Sequence, residues 1–223
     1  MPQQKSRKIL IYIFLFLIIG TLNNKDLTKS NFIKLNTITV SGLKEKNNID
    51  LVNKLNFLKF NNLMFLDKSQ IVDILNSNTL IEKFFVIKKY PSTLNIEIQK
   101  TEFLAQIKKE NKNFFLGSNG KLTRADNFRS DIPYIFGEFR NKDFFELKEA
   151  VDESNFRYNQ IKKLFFYKSG RWDMAMNNGL LIKLPRKEVK ESLKLLIIFL
   201  NDNKKKNIKE VDLRQNKQII VNG

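Results

Sequence analysis

The hydrophobic pattern opens with a run that does not alternate. Ile9 to Leu22, ILIYIFLFLIIGTL, carries no charge, and Ile9 to Ile19 is apolar on every helical face. Fourteen residues of helix rise about 21 Å, against about 30 Å of bilayer hydrocarbon. A core helix has a polar face, and a cleaved signal needs an A-x-A-like pair that is missing here. The run therefore predicts an uncleaved membrane anchor over 9–22, with Lys8 snorkelling and Asn23 and Asn24 in the interface. Lys5, Arg7 and Lys8 before the run outweigh Lys25, Asp26 and Lys29 after it. That balance places residues 1–8 in the cytoplasm and the rest of the chain outside.

Alternation begins beyond the anchor. Leu35 to Val40 alternates apolar and polar at period two and predicts a strand ending at Ser41-Gly42. Over Ile49–Leu58, Ile49, Val52, Leu55 and Phe57/Leu58 fall near helical spacing, and Asn61-Asn62 breaks the run. Asp67 is placed to cap a second helix over Lys68–Asn76 that buries Ile71, Ile74 and Leu75. Phe84 to Tyr90 predicts a strand, Pro91-Ser92 a turn, and Thr93 to Lys100 a strand alternating at Leu94, Ile96 and Ile98. The order strand, helix, helix, strand, strand describes a small mixed sheet with two helices on one face, an α+β arrangement over residues 31–101.

Residues 102–223 predict a second mixed domain, an antiparallel sheet with helices. Phe103–Lys108 and Phe114–Leu116 read as strands, Gly117–Gly120 as a turn, Phe144–Phe156 as a helix and Ile161–Tyr167 as a strand. Trp172, Met174 and Met176 alternate into Asn177-Asn178-Gly179, and Leu180, Ile182 and Leu184 alternate back, a strong hairpin pattern. Pro185 suits the first turn of a helix that buries Val189, Leu193, Leu196/Ile197 and Leu200. Ile208–Leu213 and Lys217–Val221 form a last hairpin around Arg214-Gln215-Asn216.

Composition narrows the chemistry. The chain has no cysteine and no histidine, which removes disulfides and thiolate catalysis and leaves zinc or imidazole chemistry without its usual residues. Gly117 to Lys121 fails the phosphate-loop pattern, because two residues separate the glycines and Leu122 stands where Ser or Thr is required. Ser118 with Lys121 spells S-x-x-K without any accompanying motif. No cofactor is expected. The net charge of +17 comes from lysines spread along the whole chain beside abundant Asn, Ile and Phe, all AT-rich codons. No nucleic-acid face is expected from it.

Three segments carry a family resemblance. Ile38-Thr39-Val40-Ser41-Gly42, then Asn62-Leu63-Met64-Phe65-Leu66-Asp67, then Lys89-Tyr90-Pro91-Ser92-Thr93-Leu94-Asn95-Ile96 look like the FtsQ form of a POTRA domain. Lys100 to Ala105 departs from the family's usual Arg and Pro there. Ile132-Pro133-Tyr134-Ile135-Phe136-Gly137, Arg171-Trp172-Asp173, Asn178-Gly179, Lys183-Leu184-Pro185 and Val211-Asp212-Leu213-Arg214 resemble the family's C-terminal part in order and spacing. The chain thus resembles the FtsQ/DivIB bacterial cell-division proteins: an anchor, a POTRA domain over 31–101 and a C-terminal β domain over 102–223.

The resemblance implies a non-enzymatic scaffold of the divisome in the inner membrane at the septum, with its domains in the periplasm. It implies recruitment of FtsB- and FtsL-like partners, with a segment of the FtsB-like protein adding to the last strand by β-augmentation. On this sequence that edge is Lys217, Gln218, Ile219, Ile220 and Val221, with Arg214 in the turn before it. Ile219 and Val221 would share one face and Ile220 the other. The other reading of these residues is ordinary pairing within the sheet. The alternative class, a POTRA-containing transport or outer-membrane assembly factor, usually has several POTRA copies and a barrel. No second copy is visible after residue 101. A membrane-tethered enzyme built on carboxylates would need a pair in a distinctive loop, whereas Asp173 and Asp212 fall in strand-like segments.

Overall fold

The computed structural model describes residues 3–22, 34–202, 208–215 and 218–222, and the chain divides into two compact units, 1–100 and 101–223. The first unit opens with helix α1 (Gln3–Leu22). Its apolar side chains from Ile9 to Ile19 are all exposed, by 38% to 76%. No helix among the described residues is long and apolar enough to cross a membrane. The anchor expected over 9–22 falls on α1, whose first positions, Gln3 to Lys8, are polar or charged. The flanking residues 23–33 lie outside the described residues.

The rest of this unit is β1 (Thr37–Ser41), α2 (Glu45–Leu55), a 3-10 turn (Asn56–Leu58), α3 (Ser69–Ser77), β2 (Ile81–Lys89) and β3 (Thr93–Lys100). The sheet order is β1-β3-β2, with β1 parallel to β3 and β2 antiparallel to it. Ile38, Leu94, Ile96 and Ile98 face one side of the sheet and meet Leu51, Leu55, Ile71 and Leu75 from the helices in one core. The helical stripe of α2 keeps Leu55 and Leu58 of the one that spacing predicts but carries Leu51 in place of Ile49. Leu51, Leu55 and Leu58 are buried, whereas Ile49 is exposed. The helix starts at Glu45, and spacings of four and three residues from Leu51 carry the stripe into the 3-10 turn. Asp67 lies one residue before the cap position, but its carboxylate accepts the Ser69 N–H at 2.9 Å. Gly42 sits at φ +107°, where a Cβ would lie 1.8 Å from the Ile98 carbonyl oxygen. Only glycine closes β1 against β3 this tightly.

Among its described residues the second unit holds one nine-stranded sheet and two α-helices. Its strands are β4 (Phe103–Lys109), β5 (Lys112–Gly117), β6 (Leu122–Ala125), β7 (Tyr134–Phe136), β8 (Ile161–Phe166), β9 (Trp172–Met176), β10 (Leu181–Lys183), β11 (Glu210–Asp212) and β12 (Ile220–Asn222). Helix α4 (Asn141–Glu153) joins β7 to β8, and α5 (Val189–Asp202) joins β10 to β11. The sheet order is β12-β11-β10-β9-β8-β7-β4-β5-β6.

The sheet is mixed rather than antiparallel. β4 with β7, β7 with β8 and β10 with β11 run parallel. Each helix carries the chain back along the sheet, so the strands it joins point the same way. The hairpin at Asn178-Gly179 forms as its pattern requires, with β9 and β10 antiparallel. Pro185 is not a helix start. Arg186 to Glu188 intervene, with Glu188 at φ +59°, and α5 begins at Val189. The strand must turn through this left-handed residue before the helix can lie over the sheet. Leu193 and Leu196 are then fully buried, with Val189 and Leu200 at the margin.

Gln106 is a buried polar hub. Its Nε2 donates to the carbonyls of Arg129 (2.5 Å) and Ile132 (3.1 Å), and its Oε1 accepts the Arg129 N–H at 2.9 Å. It thereby fastens the segment before β7 onto β4, with its amide fully used.

Candidate partner-binding edge

The sheet's registers line up two rows that run out at β12. On the core face Met174, Ile182, Val211 and Val221 lie opposite one another in turn. The first three are buried completely or almost so, while Val221 is 43% exposed. Nothing pairs with the outer side of β12 among the described residues. The hydrophobic row thus reaches the margin half covered. On the other face the row is Asp173, Lys183, Asp212 and Ile220, with Ile220 46% exposed. Ile219 packs against the core just before the strand.

The backbone direction at the edge follows from one bond. The Asn222 carbonyl accepts the Lys209 N–H at 3.1 Å, so Asn222 turns toward the sheet. Alternate residues of an antiparallel strand direct their N–H and C=O to opposite sides. Ile220 therefore turns inward with Asn222, and the N–H and C=O of Val221 point outward.

Ion pairs stiffen the strands beneath. Arg214 Nε donates to both carboxylate oxygens of Asp212 at 2.8 and 2.9 Å, and the Arg214 N–H donates to the same carboxylate. These bonds hold the Asp212 carboxyl below the usual range and push the guanidinium up. Lys183 Nζ sits 2.8 Å from Glu210, whose carboxylate also accepts from Asn222 at 3.2 Å. The Lys183 bond lowers the Glu210 carboxyl. Asp173 behaves in the opposite way. It is buried, and burial raises its carboxyl against the pull of Tyr167, Arg171, Arg214 and Lys183.

The residues expected at the edge are distributed differently in the fold. Ile220 and Val221 are in β12, but the strand runs on to Asn222. Gln218 and Ile219 precede it, with the Gln218 N–H donating to Gln215 at 3.2 Å. Arg214 follows β11 and is clamped to Asp212. Lys217 lies outside the described residues. Asn222 escapes the sequence pattern because it is polar and ends the alternation. Its tie to Glu210 depends on the strand register. Asp173 is an interior residue and not a surface one. A charged residue between Trp172 and Met174 looks solvent-facing until the sheet is assembled. No group of three or more acidic side chains placed to hold a metal occurs among the described residues.

The model for the C-terminal region of cell division protein FtsQ/DivIB matches residues 105–214, and that for the FtsQ-type POTRA domain matches residues 33–100. Cell division protein FtsQ of Rickettsia bellii is 24% identical over 191 residues, covering 84% of this chain and 72% of its own length. The same protein of Rickettsia prowazekii is 24% identical over 199 residues, covering 87% and 73%. Among solved structures, the major extracytoplasmic domain of the cell division protein DivIB of Geobacillus stearothermophilus matches 48% of this chain and 98% of its own. The sequence identity there is 15% and the TM-score 0.34. The two family models follow one another along both units, and the chain belongs to the FtsQ/DivIB family of bacterial cell-division proteins.

Proposed function

We propose that this chain is a non-enzymatic, membrane-anchored scaffold of the divisome that recruits FtsB- and FtsL-like partners through the outer edge of β12. It would link them to septal wall synthesis from the inner membrane, with both units in the periplasm. The observation that carries the reading is the half-covered end of the Met174–Ile182–Val211–Val221 row beside an unpaired strand edge. An added strand satisfies the outward N–H and C=O of Val221 and covers its side chain together with that of Ile220. Arg214, Gln218 and Ile219 flank the edge and, with Lys217 next to them in the sequence, would meet the partner's side chains. The anchor is α1, whose exposed apolar side chains suit lipid. Snorkelling of Arg7 and Lys8 and local bilayer thinning make up for its short apolar run.

The test is binding of the full chain, in detergent micelles, to the extracytoplasmic segment of the same cell's FtsB-like protein. Val221→Pro removes an outward donor and leaves the partner's acceptor unpaired, so affinity should fall about tenfold or more. The tryptophan emission of the fold should be unchanged. Equal binding by a folded Val221→Pro variant, or no binding by the parent, would sink the proposal.

A further inference from the structure

We propose that the end of the first unit nearest in sequence to α1 is a bilayer-contact surface, in which Phe57, Phe60, Met64, Phe65 and Tyr90 enter the headgroup region of an anionic membrane. The inference rests on the reading of α1 as the anchor. All five side chains are exposed, Phe60 by 73%. Hydrogen bonds gather them at one end of the unit. Leu35 N–H donates to the Asn61 carbonyl at 3.0 Å, Phe60 N–H to the Leu35 carbonyl at 2.8 Å, and Lys34 bridges Asn62. Asn36 N–H donates to Ser92 at 2.9 Å, which brings in the turn that follows Tyr90. Lys88 Nζ donates to the Met64 carbonyl at 3.1 Å.

The aromatic side chains are held outward by residues held inward. Leu58, Leu63 and Leu66 alternate with them and lie in the core, so the segment cannot fold its phenylalanines away. Phe60 stands at φ +69°, a left-handed backbone that a bulky residue adopts only at a cost of about 1 kcal/mol or more. The Phe60 side chain itself, 73% exposed, buries little apolar surface within the unit.

Chain length and charge identify the occupant. Eleven residues, 23–33, separate Leu22 of α1 from Lys34 of this surface. Fully extended they reach about 40 Å, so an anchored α1 keeps this surface within about 40 Å of the bilayer. Lys59, Lys68, Lys88 and Lys89 lie next to or within a few residues of these side chains in the sequence, as does the carboxylate Asp67, and Lys34 joins them through its bridge to Asn62. Apolar rings ringed by lysines match the boundary between acyl chains and anionic headgroups.

The experiment uses the full chain in vesicles of phosphatidylcholine and phosphatidylglycerol. The chain has no cysteine, so Phe16→Cys, Lys46→Cys, Phe60→Cys and Phe65→Cys each create one spin-label site. Position 16 reports the anchor. Position 46 lies at the far end of α2, about 15 Å from the surface along that helix. Accessibility to oxygen relative to a water-soluble nickel chelate reads depth. Labels at 60 and 65 should show a ratio several-fold above that at 46, falling back at high salt or without the anionic lipid. If 60 and 65 are as wet as 46 while 16 is in lipid, the inference is overturned and the anchor stands. A wet position 16 overturns both. Spin–spin broadening at 60 would mean that a second copy covers the surface, and would also overturn it.

Discussion

Val211 decides whether the edge assigned to β12 exists, because among the described residues β12 pairs with the sheet only through β11. The side chain of Val211 is fully buried between Ile182 and Val221. Val211→Ala removes the equivalent of two methylenes, about 1.5 kcal/mol of transfer free energy. The small cavity left adds roughly 1 kcal/mol, giving a loss of about 2.5 kcal/mol. Val221→Ala removes the same atoms from a half-exposed site and should cost about 1 kcal/mol. Trp172 is the sole tryptophan and lies buried in the second unit, so urea unfolding followed by its emission reports that unit alone. With an m-value of about 2 kcal/mol/M, Val211→Ala should move the midpoint by about 1.2 M and Val221→Ala by about 0.5 M. Equal shifts, or a Val211→Ala shift below about 0.25 M, would refute the register β10–β11–β12. The edge assignment would fall with it.

Two further changes test the interior. Gln106→Leu keeps the volume but strands the Arg129 N–H and the Arg129 and Ile132 carbonyls, and should cost about 3 kcal/mol in the same urea assay. Asp173 and Asp212 should respond to pH with opposite signs. The Asp173 carboxyl is raised by burial, so its ionisation opposes folding above the raised value. Asp173→Asn should therefore be more stable than the parent at neutral pH, and the gain should vanish as pH falls toward 3.8, the unfolded value. The Asp212 carboxyl is lowered by Arg214, so its contribution is present above 3.8 and lost as pH falls through the folded value. Asp212→Asn should cost about 0.5–1 kcal/mol at neutral pH. Unfolding curves between pH 3 and pH 7 check both signs.

Features that depend only on neighbours along the chain are legible in the sequence. The period-two alternation of Thr93–Lys100, the Asn178-Gly179 hairpin and the helix ending near Ser77 are local. Their side chains choose a face and a turn whatever lies across the sheet. The absence of Cys and His removes whole classes of chemistry from composition alone. What the linear pattern does not carry is set by contacts between distant segments. The helices α4 and α5 return the chain and make the sheet mixed. Pairing opposite Val211 decides that the last strand is Ile220–Asn222 and runs past Val221, and burial makes Asp173 an interior carboxylate. Only the tertiary structure brings Phe57, Phe60, Phe65 and Tyr90 to one end, because hydrogen bonds from residues 34–36 to Asn61 and Ser92 join segments that alternation reads separately. Periodicity reports which side chains share a face of one element. It holds no information on which elements meet, since that is settled by burial and hydrogen bonding summed over the whole unit.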